Sequence, residues 1–365
     1  MDEAARHGLC QAVQHNCHIA DARHAADLTL CTYLLQMREY FRWERGLPFG
    51  ASLPQDDVGH WIAAREALWD DLAMQDFAWL PLGPDRQAVD PFDVATVNRH
   101  LDSTGLVYAA GLTGRDQAIF VLAEAHAQGQ PAVDGPSLPV MMAGREWARG
   151  LMAPPAVLDA RDEPPTIILR REALARWCWE RFETFSLRPR AGSPFAAVVQ
   201  AYGLDQDLQR GLSCCVDDQC EALLLHEQGE HRAGQLLGPG WSSLRLALPA
   251  PRGDLAARAL RDHLADLGLT LPTLLARQRN HAIHFWFATF EGWRQQLFPG
   301  LIHAYARWRD GDGGLALQAA ARDGHAHFLA LARRALALHA YGAPVADVQA
   351  LLLSPLAVCK TGTLA

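Results

Sequence analysis

The segment Cys220-Glu-Ala-Leu-Leu-Leu-His226-Glu227-Gln-Gly-Glu230-His231 gathers imidazoles and carboxylates into three helical turns. At roughly 100° per residue, with His226 at zero, Glu230 falls near 40°, Glu227 near 100° and His231 near 140°. Val216, Leu223, Gly234 and Leu237 fall in or beside the same arc, so the ionisable groups share the apolar face. Burying unpaired charge is costly, so such a stripe needs partners. A metal ion would supply them, and so would charged groups on facing helices or an internal hydrogen-bond network.

Two later segments offer more donors. In Leu255–Leu267, His263 shares a face with Ala256, Leu260, Leu264 and Leu267. Asp266 is its i+3 neighbour, and Asp262 and Asp266 form an i,i+4 pair beside it. His263 reads either as a ligand oriented by Asp266 or as a satisfied core histidine. In Asn280–Arg294 the wheel is almost wholly aromatic or aliphatic, except for one stripe carrying His281, His284 and Glu291, continued by Gln295. Donors from separate helices are how bundle cores build metal sites. Mixed His/carboxylate ligation suits iron, manganese or zinc more than calcium or magnesium. The expected ligands are therefore His226, Glu227, Glu230, His263, Asp266, His284 and Glu291. The expected cofactor is a divalent metal, iron or manganese first. The expected function is a metal-dependent enzyme with an iron or di-metal centre, redox-active among aromatic walls.

The elements that must carry these residues follow from apolar periodicity and breakers. Residues 9–45 read as one or two helices closed by Gly46-Leu47-Pro48, and a further helix spans about Gln55–Met74. Between 80 and 170, short apolar runs bounded by turn residues suit strands: Leu106–Ala110, Ala118–Ala123, Leu138–Met142 and Thr166–Leu169. Helices are expected at Arg145–Met152 and Arg171–Phe185, then a linker, Ser186–Pro194. The remainder is helical, with breaks at Gly203, Gly238–Gly240, Pro249–Pro251, Gly268–Pro272, Pro299-Gly300 and Gly311–Gly314. The fold class is α+β, predominantly helical. Its expected parts are an N-terminal helical arm (1–78), a small α/β domain (79–190), a C-terminal helical bundle (191–354) and a frayed tail (355–365).

In the arm, His15, His18, Asp21 and His24 recur every third residue and drift around a straight helix, so the four cannot share one ion. They read as packing or inter-domain residues, with a contribution to the site as the alternative. Glycine-rich phosphate loops, the G-x-S-x-G elbow and the zincin H-E-x-x-H are absent; His231 stands one place too late for the last.

Ala222-Leu-Leu-Leu-His226-Glu227-Gln-Gly229 resembles the apolar-run–His-Asp-x-Gly step of the HD-domain metal phosphohydrolases, with Glu in place of Asp. That resemblance implies a metal on His226 and Glu227, with His263, Asp266 or His284 downstream, and a metal-activated water attacking a phosphoester. Arg258, Arg261 and Arg277 would then be the phosphate-binding candidates. No histidine lies between His126 and His226 to act as the upstream ligand. Taken whole, the chain resembles an uncharacterised bacterial family, on His15-Asn-Cys-His-Ile-Ala-Asp-Ala-Arg-His-Ala25, Met37–Glu44 and Leu225–Glu230. That likeness implies no activity. The third reading is a non-catalytic helical scaffold or interaction protein whose histidines bond internally.

The 365 residues carry 41 Asp+Glu against 33 Lys+Arg, a formal net charge of -8, which argues against nucleic acid or an anionic membrane as partner. Eight cysteines without a C-x-x-C pair suit buried side chains in a reducing compartment, and the start has neither a basic nor an apolar signal region. A cytoplasmic protein acting on a small molecule is expected; the sequence names neither substrate nor oligomeric state.

Overall fold

The computed structural model describes residues 1–82, 88–113, 117–126, 138–151, 153–159, 165–249 and 251–356. The chain forms two compact units, Met1–Thr184 with Leu208–Val216, and Phe185–Asp207 with the chain from Asp217 on. The fold class is as expected, α+β with helices predominating. Most of the expected tail, from 357, lies outside the described residues. Among the described residues no helix is long and apolar enough to cross a membrane.

The first unit opens with α1 (Glu3–His24), α2 (Leu30–Glu44) and α3 (Gln55–Leu72). Asp2 caps α1 by accepting from Ala5 N at 2.7 Å, and Thr29 caps α2 from Thr32 N. A two-stranded ribbon, β1 (Leu80–Pro81) and β2 (Ala88–Val89), precedes α4 (Val94–Leu101). Then come β3 (Leu106–Thr113), β4 (Gln117–His126), β5 (Val140–Arg149), β6 (Ala156–Asp159), β7 (Thr166–Arg170) and α5 (Arg171–Leu187). The five strands order β3-β4-β5-β7-β6, all antiparallel except the β5–β7 pair.

Both faces of this sheet are buried. Tyr108, Phe120, Leu122 and Ala148 meet Leu9, Val13, Cys17 and Ala20 of α1 on one side. Alternate residues, Val107, Ala109, Ile119, Val121 and Ile168, form a separate cluster on the other, as period-2 geometry requires. α1 of the expected arm therefore shares a core with the sheet.

Where a helix is expected from Arg145 to Met152, residues 145–149 form the end of β5, and Met152 lies outside the described residues. Arg145 and Arg149 have helical i,i+4 spacing, but this segment pairs with β4 through a bulged register: Ala123 opposes Glu146 and Val121 opposes Arg149. Charges inside a strand are tolerated because they are paired. Arg170 Nη2 lies 2.6 Å from Glu146 Oε1 with both side chains fully buried, and Arg149 Nε and Arg176 Nη1 stand 3.9 and 3.8 Å from Oε2.

The second unit is helical: α6 (Pro194–Tyr202), α7 (Leu208–Leu237, whose first residues belong to the first unit), α8 (Gly240–Ala247) and α9 (Arg252–Ala265). A π-helical turn, Asp266–Thr270, carries α9 into α10 (Leu271–Ala276), so the break expected at Gly268–Pro272 is a widened turn within a continuing helix. There follow α11 (Asn280–Ala288), α12 (Gly292–Leu297), α13 (Leu301–Arg309), α14 (Leu315–Ala340) and α15 (Val345–Leu352). Ser193 caps α6 with Pro194 behind it, and Gly203 ends it at φ +62°. α9 packs against α8, α12, α14 and α15.

Asp21 of α1 accepts from Leu151 N at 2.9 and 3.0 Å through its two carboxylate oxygens and is almost fully buried. Burial raises its carboxyl from 3.8 to about 7, against the Leu151 N–H, Arg149 and Arg65. Between those values the folded chain binds a proton that the unfolded chain has released, so this group's contribution to stability falls as pH rises. An Asp21→Asn variant cannot titrate there. Its stability relative to the parent is expected to improve between pH 4 and pH 7, read as the difference in urea midpoints across that window. A constant difference would show that Asp21 is ionised throughout.

Candidate functional site

The ionisable stripe of α7 faces the C-terminal end of α9. Gly229 makes this possible: a Cβ there would stand 2.8 Å from Ala265 O and 2.9 Å from its Cα, so the two backbones are nearly in contact. On either side of Gly229 lie His226 and Glu230; beside Ala265 lies Asp266, one turn beyond Asp262. His226 Nδ1 bonds Asp266 Oδ1 at 2.8 Å, and its Nε2 lies 3.9 Å from Glu230 Oε1. Asp262 completes a group with His226 and Glu230 in which one donor atom from each lies within 4.8 Å of the others.

Arginines brace the rim. Arg294 of α12 donates to Asp266 Oδ2 at 3.1 Å and to Thr289 O at 2.8 Å, tying the end of α11 to the π turn. Arg261 donates to Glu230 Oε2 at 2.6 Å. The Asp266 side chain is 1% exposed, whereas His226 keeps 23% and Glu230 20%, so the cluster has a buried floor and an accessible mouth.

Its electrostatics follow from this. Burial would lower the His226 imidazole, but Asp266, Glu230 and Asp262 outweigh it and raise the group to about 10. Asp266 is held low, at about 2: burial opposes, and His226 and Arg294 prevail. Asp262 is raised, first by burial and then by Glu230 and Asp266, against the pull of His226. Glu227, half-buried alongside, is also raised by burial and by Glu230, with His226 opposing.

The structure thus brings together four of the seven expected ligands: His226, Glu227, Glu230 and Asp266. Asp266 is the hydrogen-bond partner of His226, where the sequence pattern paired it with His263. His263 is fully buried: its ring stacks on Phe328 at 4.4 Å and 7°, and its Nε2 bonds Arg294 O at 2.9 Å. Burial lowers it to about 4, so it is a neutral core histidine. His284 bonds Tyr305 Oη at 2.8 Å and lies 5.1 Å from the Trp308 ring, away from the cluster's partners. Glu291 is exposed at the N-cap position of α12, with φ −141°. Helix α11 ends at Ala288, so His284 and Glu291 do not share the helix that the stripe assumed.

Asp262 was absent from the expected ligands. Its signal was the i,i+4 relation to Asp266, read as an accessory to His263. In the N-terminal helix, His18 accepts from Arg65 Nη1 at 2.7 Å and is lowered to about 3, first by burial and then by Arg65, while His24 bonds Asp27 at 3.2 Å. Those histidines have separate partners.

Taken together, fold and site define a helix-rich α+β protein with a His/carboxylate cluster between two helices of its C-terminal unit. Family models match nearly all of the chain: the N-terminal domain of a family of unknown function (DUF6866) over residues 8–170, and its C-terminal domain over residues 175–353. The chain belongs to that family. No curated protein and no solved structure matches it.

The close helix approach is testable without a ligand. Gly229→Ala forces backbone from backbone and is expected to cost about 1–3 kcal/mol. Gly234→Ala, one turn further with nothing within 4 Å of its Cβ, is expected to stabilise by up to about 1 kcal/mol through helix propensity. Urea unfolding of both variants checks the contrast; equal effects would remove the contact as a determinant of the site.

Proposed function

We propose that the chain is a metal-dependent enzyme whose site holds one divalent cation through His226 Nε2, Glu230 and Asp262. The observation that carries this reading is the convergence of those three donors within 4.8 Å of one another. The His226–Asp266 bond adds to it: with Nδ1 donating to a carboxylate, Nε2 is the nitrogen left to ligate, the orientation usual for metal-bound histidine. One imidazole and two carboxylates form a hard, oxygen-rich set that suits manganese or iron, as the sequence pattern also favoured. Three protein ligands leave coordination positions open, and a cation there would supply Lewis acidity toward a water or a substrate oxygen.

The roles of the chain's own groups follow. Asp266 fixes the His226 ring, and Arg294 holds Asp266 in turn. Arg261 holds Glu230 by one oxygen, Oε2, leaving Oε1 on the side of His226. The exposed edge of His226 supports entry of a small substrate. The arrangement departs from the HD step, since Glu230, one helical turn on, takes the place beside His226 that Glu227 would hold. Cysteine spacing favours a cytoplasmic setting.

One observation supports a second, non-catalytic reading. Ion pairs already link the cluster's members, Arg261 to Glu230 and Arg294 to Asp266 to His226. Such a network can serve as a staple between α7, α9 and α12.

Calorimetric titration of untagged, chelator-treated protein with Mn²⁺ and Fe²⁺ separates the two. One equivalent is expected to bind, and Asp262→Asn and Glu230→Gln are each expected to weaken binding at least about tenfold. His284→Ala is expected to retain it. A protein that takes up neither ion leaves the ion-pair staple, and metal binding unchanged by Asp262→Asn would move the centre elsewhere.

A further inference from the structure

The N-terminal unit has a cavity of about 670 Å³ bounded by α2, the segment 50–53, the start of α3 and α5. That volume is in the range of small-molecule sites. Its walls are apolar, with Leu34 of α2, Ile62 of α3 and Trp179 of α5, the last backed by the stacked ring of Phe49 at 6.0 Å.

Its charged groups, Arg38, Arg42 and Glu183, are held by hydrogen bonds. Arg42 lines the cavity yet is only 2% exposed. Its Nε donates to both Glu39 oxygens at 3.2 and 3.1 Å, and its Nη1 to Pro48 O and Ala51 O at 2.7 and 3.1 Å. The remaining Nη2 has no hydrogen-bond partner among the described residues. A buried guanidinium held through Nε and Nη1, with the two Nη2 N–H groups unused beside a cavity, is a preformed place for an acceptor. Nearer the mouth, Arg38 Nη2 donates to Glu183 Oε1 at 2.9 Å, and both residues line the cavity.

Charge balance decides what fits. Arg42 is matched by Glu39 and Arg38 by Glu183, so a ligand with net charge would leave one charge unmatched in a half-enclosed site. A zwitterion would not. Its carboxylate would accept from Arg42 Nη2 and Arg38, its ammonium would donate to Glu183, and its body would lie on Trp179, Leu34 and Ile62. We propose that this cavity binds a free α-amino acid with an apolar or aromatic side chain. The site lies in the N-terminal unit and does not depend on the metal reading.

Isothermal titration of the full-length protein with L-phenylalanine, L-leucine, 3-phenylpropionate and phenethylamine tests it, with tryptophan fluorescence in parallel. L-Phenylalanine or L-leucine is expected to bind, and the two analogues, each lacking one charged group, at least about tenfold more weakly than L-phenylalanine. Arg38→Gln and Glu183→Gln are each expected to weaken amino-acid binding while leaving the melting temperature within a few degrees. Arg42 is left intact because it also holds the 48–51 backbone. Equal binding of 3-phenylpropionate, tighter binding by Glu183→Gln, or no amino-acid binding at millimolar concentration would each overturn the proposal.

Discussion

The candidate centre depends on one steric fact: α7 and α9 approach so closely at Gly229 that no side chain fits between them. Two helices kept apart by ordinary side chains hold their axes about 8–10 Å apart. A backbone contact lets short acidic side chains of one helix reach an imidazole on the other. The 2.8 Å bond from His226 to Asp266, and the position of Asp262 beside Glu230, follow from that approach. The π turn that begins at Asp266 coincides with this point, and Arg294 braces it from α12. A widened turn of this kind frequently marks a functional position in a helix.

The first unit uses buried charge differently. Glu146, in the middle of a strand, is surrounded by Arg149, Arg170 and Arg176 with no exposure to water. Removing one partner there would leave uncompensated charge in a low dielectric, a far larger penalty than the net worth of the pair. The network ties β5, β7 and α5 together and has no open edge. The cluster of the second unit has the same ingredients, but His226 and Glu230 retain solvent access. Exposure distinguishes a structural charge network from one that can take a ligand. The 670 Å³ cavity beside Arg42 falls between these cases, with a buried floor and an open mouth.

Much of the architecture was legible in the residue pattern. Short apolar runs bounded by turn residues marked β3, β4, β7 and the start of β5, and Gly and Pro breaks marked most helices. The wheel at Cys220–His231 placed His226 and Glu230 on the apolar face, and both are part-buried and ion-paired. The pattern misled where local spacing and tertiary environment disagree. Arg145 and Arg149 look helical until pairing with β4 claims their segment as a strand. His263 lies one residue beyond Asp262, and a wheel cannot tell which of the two faces α7. Phe328, which stacks on His263, is 65 residues away in sequence.

By itself, then, the sequence determined the family, the helix-rich α+β class and which faces carry ionisable groups among apolar ones. Those properties depend on local periodicity, turn chemistry and composition, which a linear chain displays in full. Only the tertiary structure decided that Asp262 and not His263 joins His226, that Asp266 orients His226, and that Glu291 stands apart. Each is a distance between side chains on different elements, set by how closely two backbones approach and where a helix stops, and no spacing along one helix encodes it.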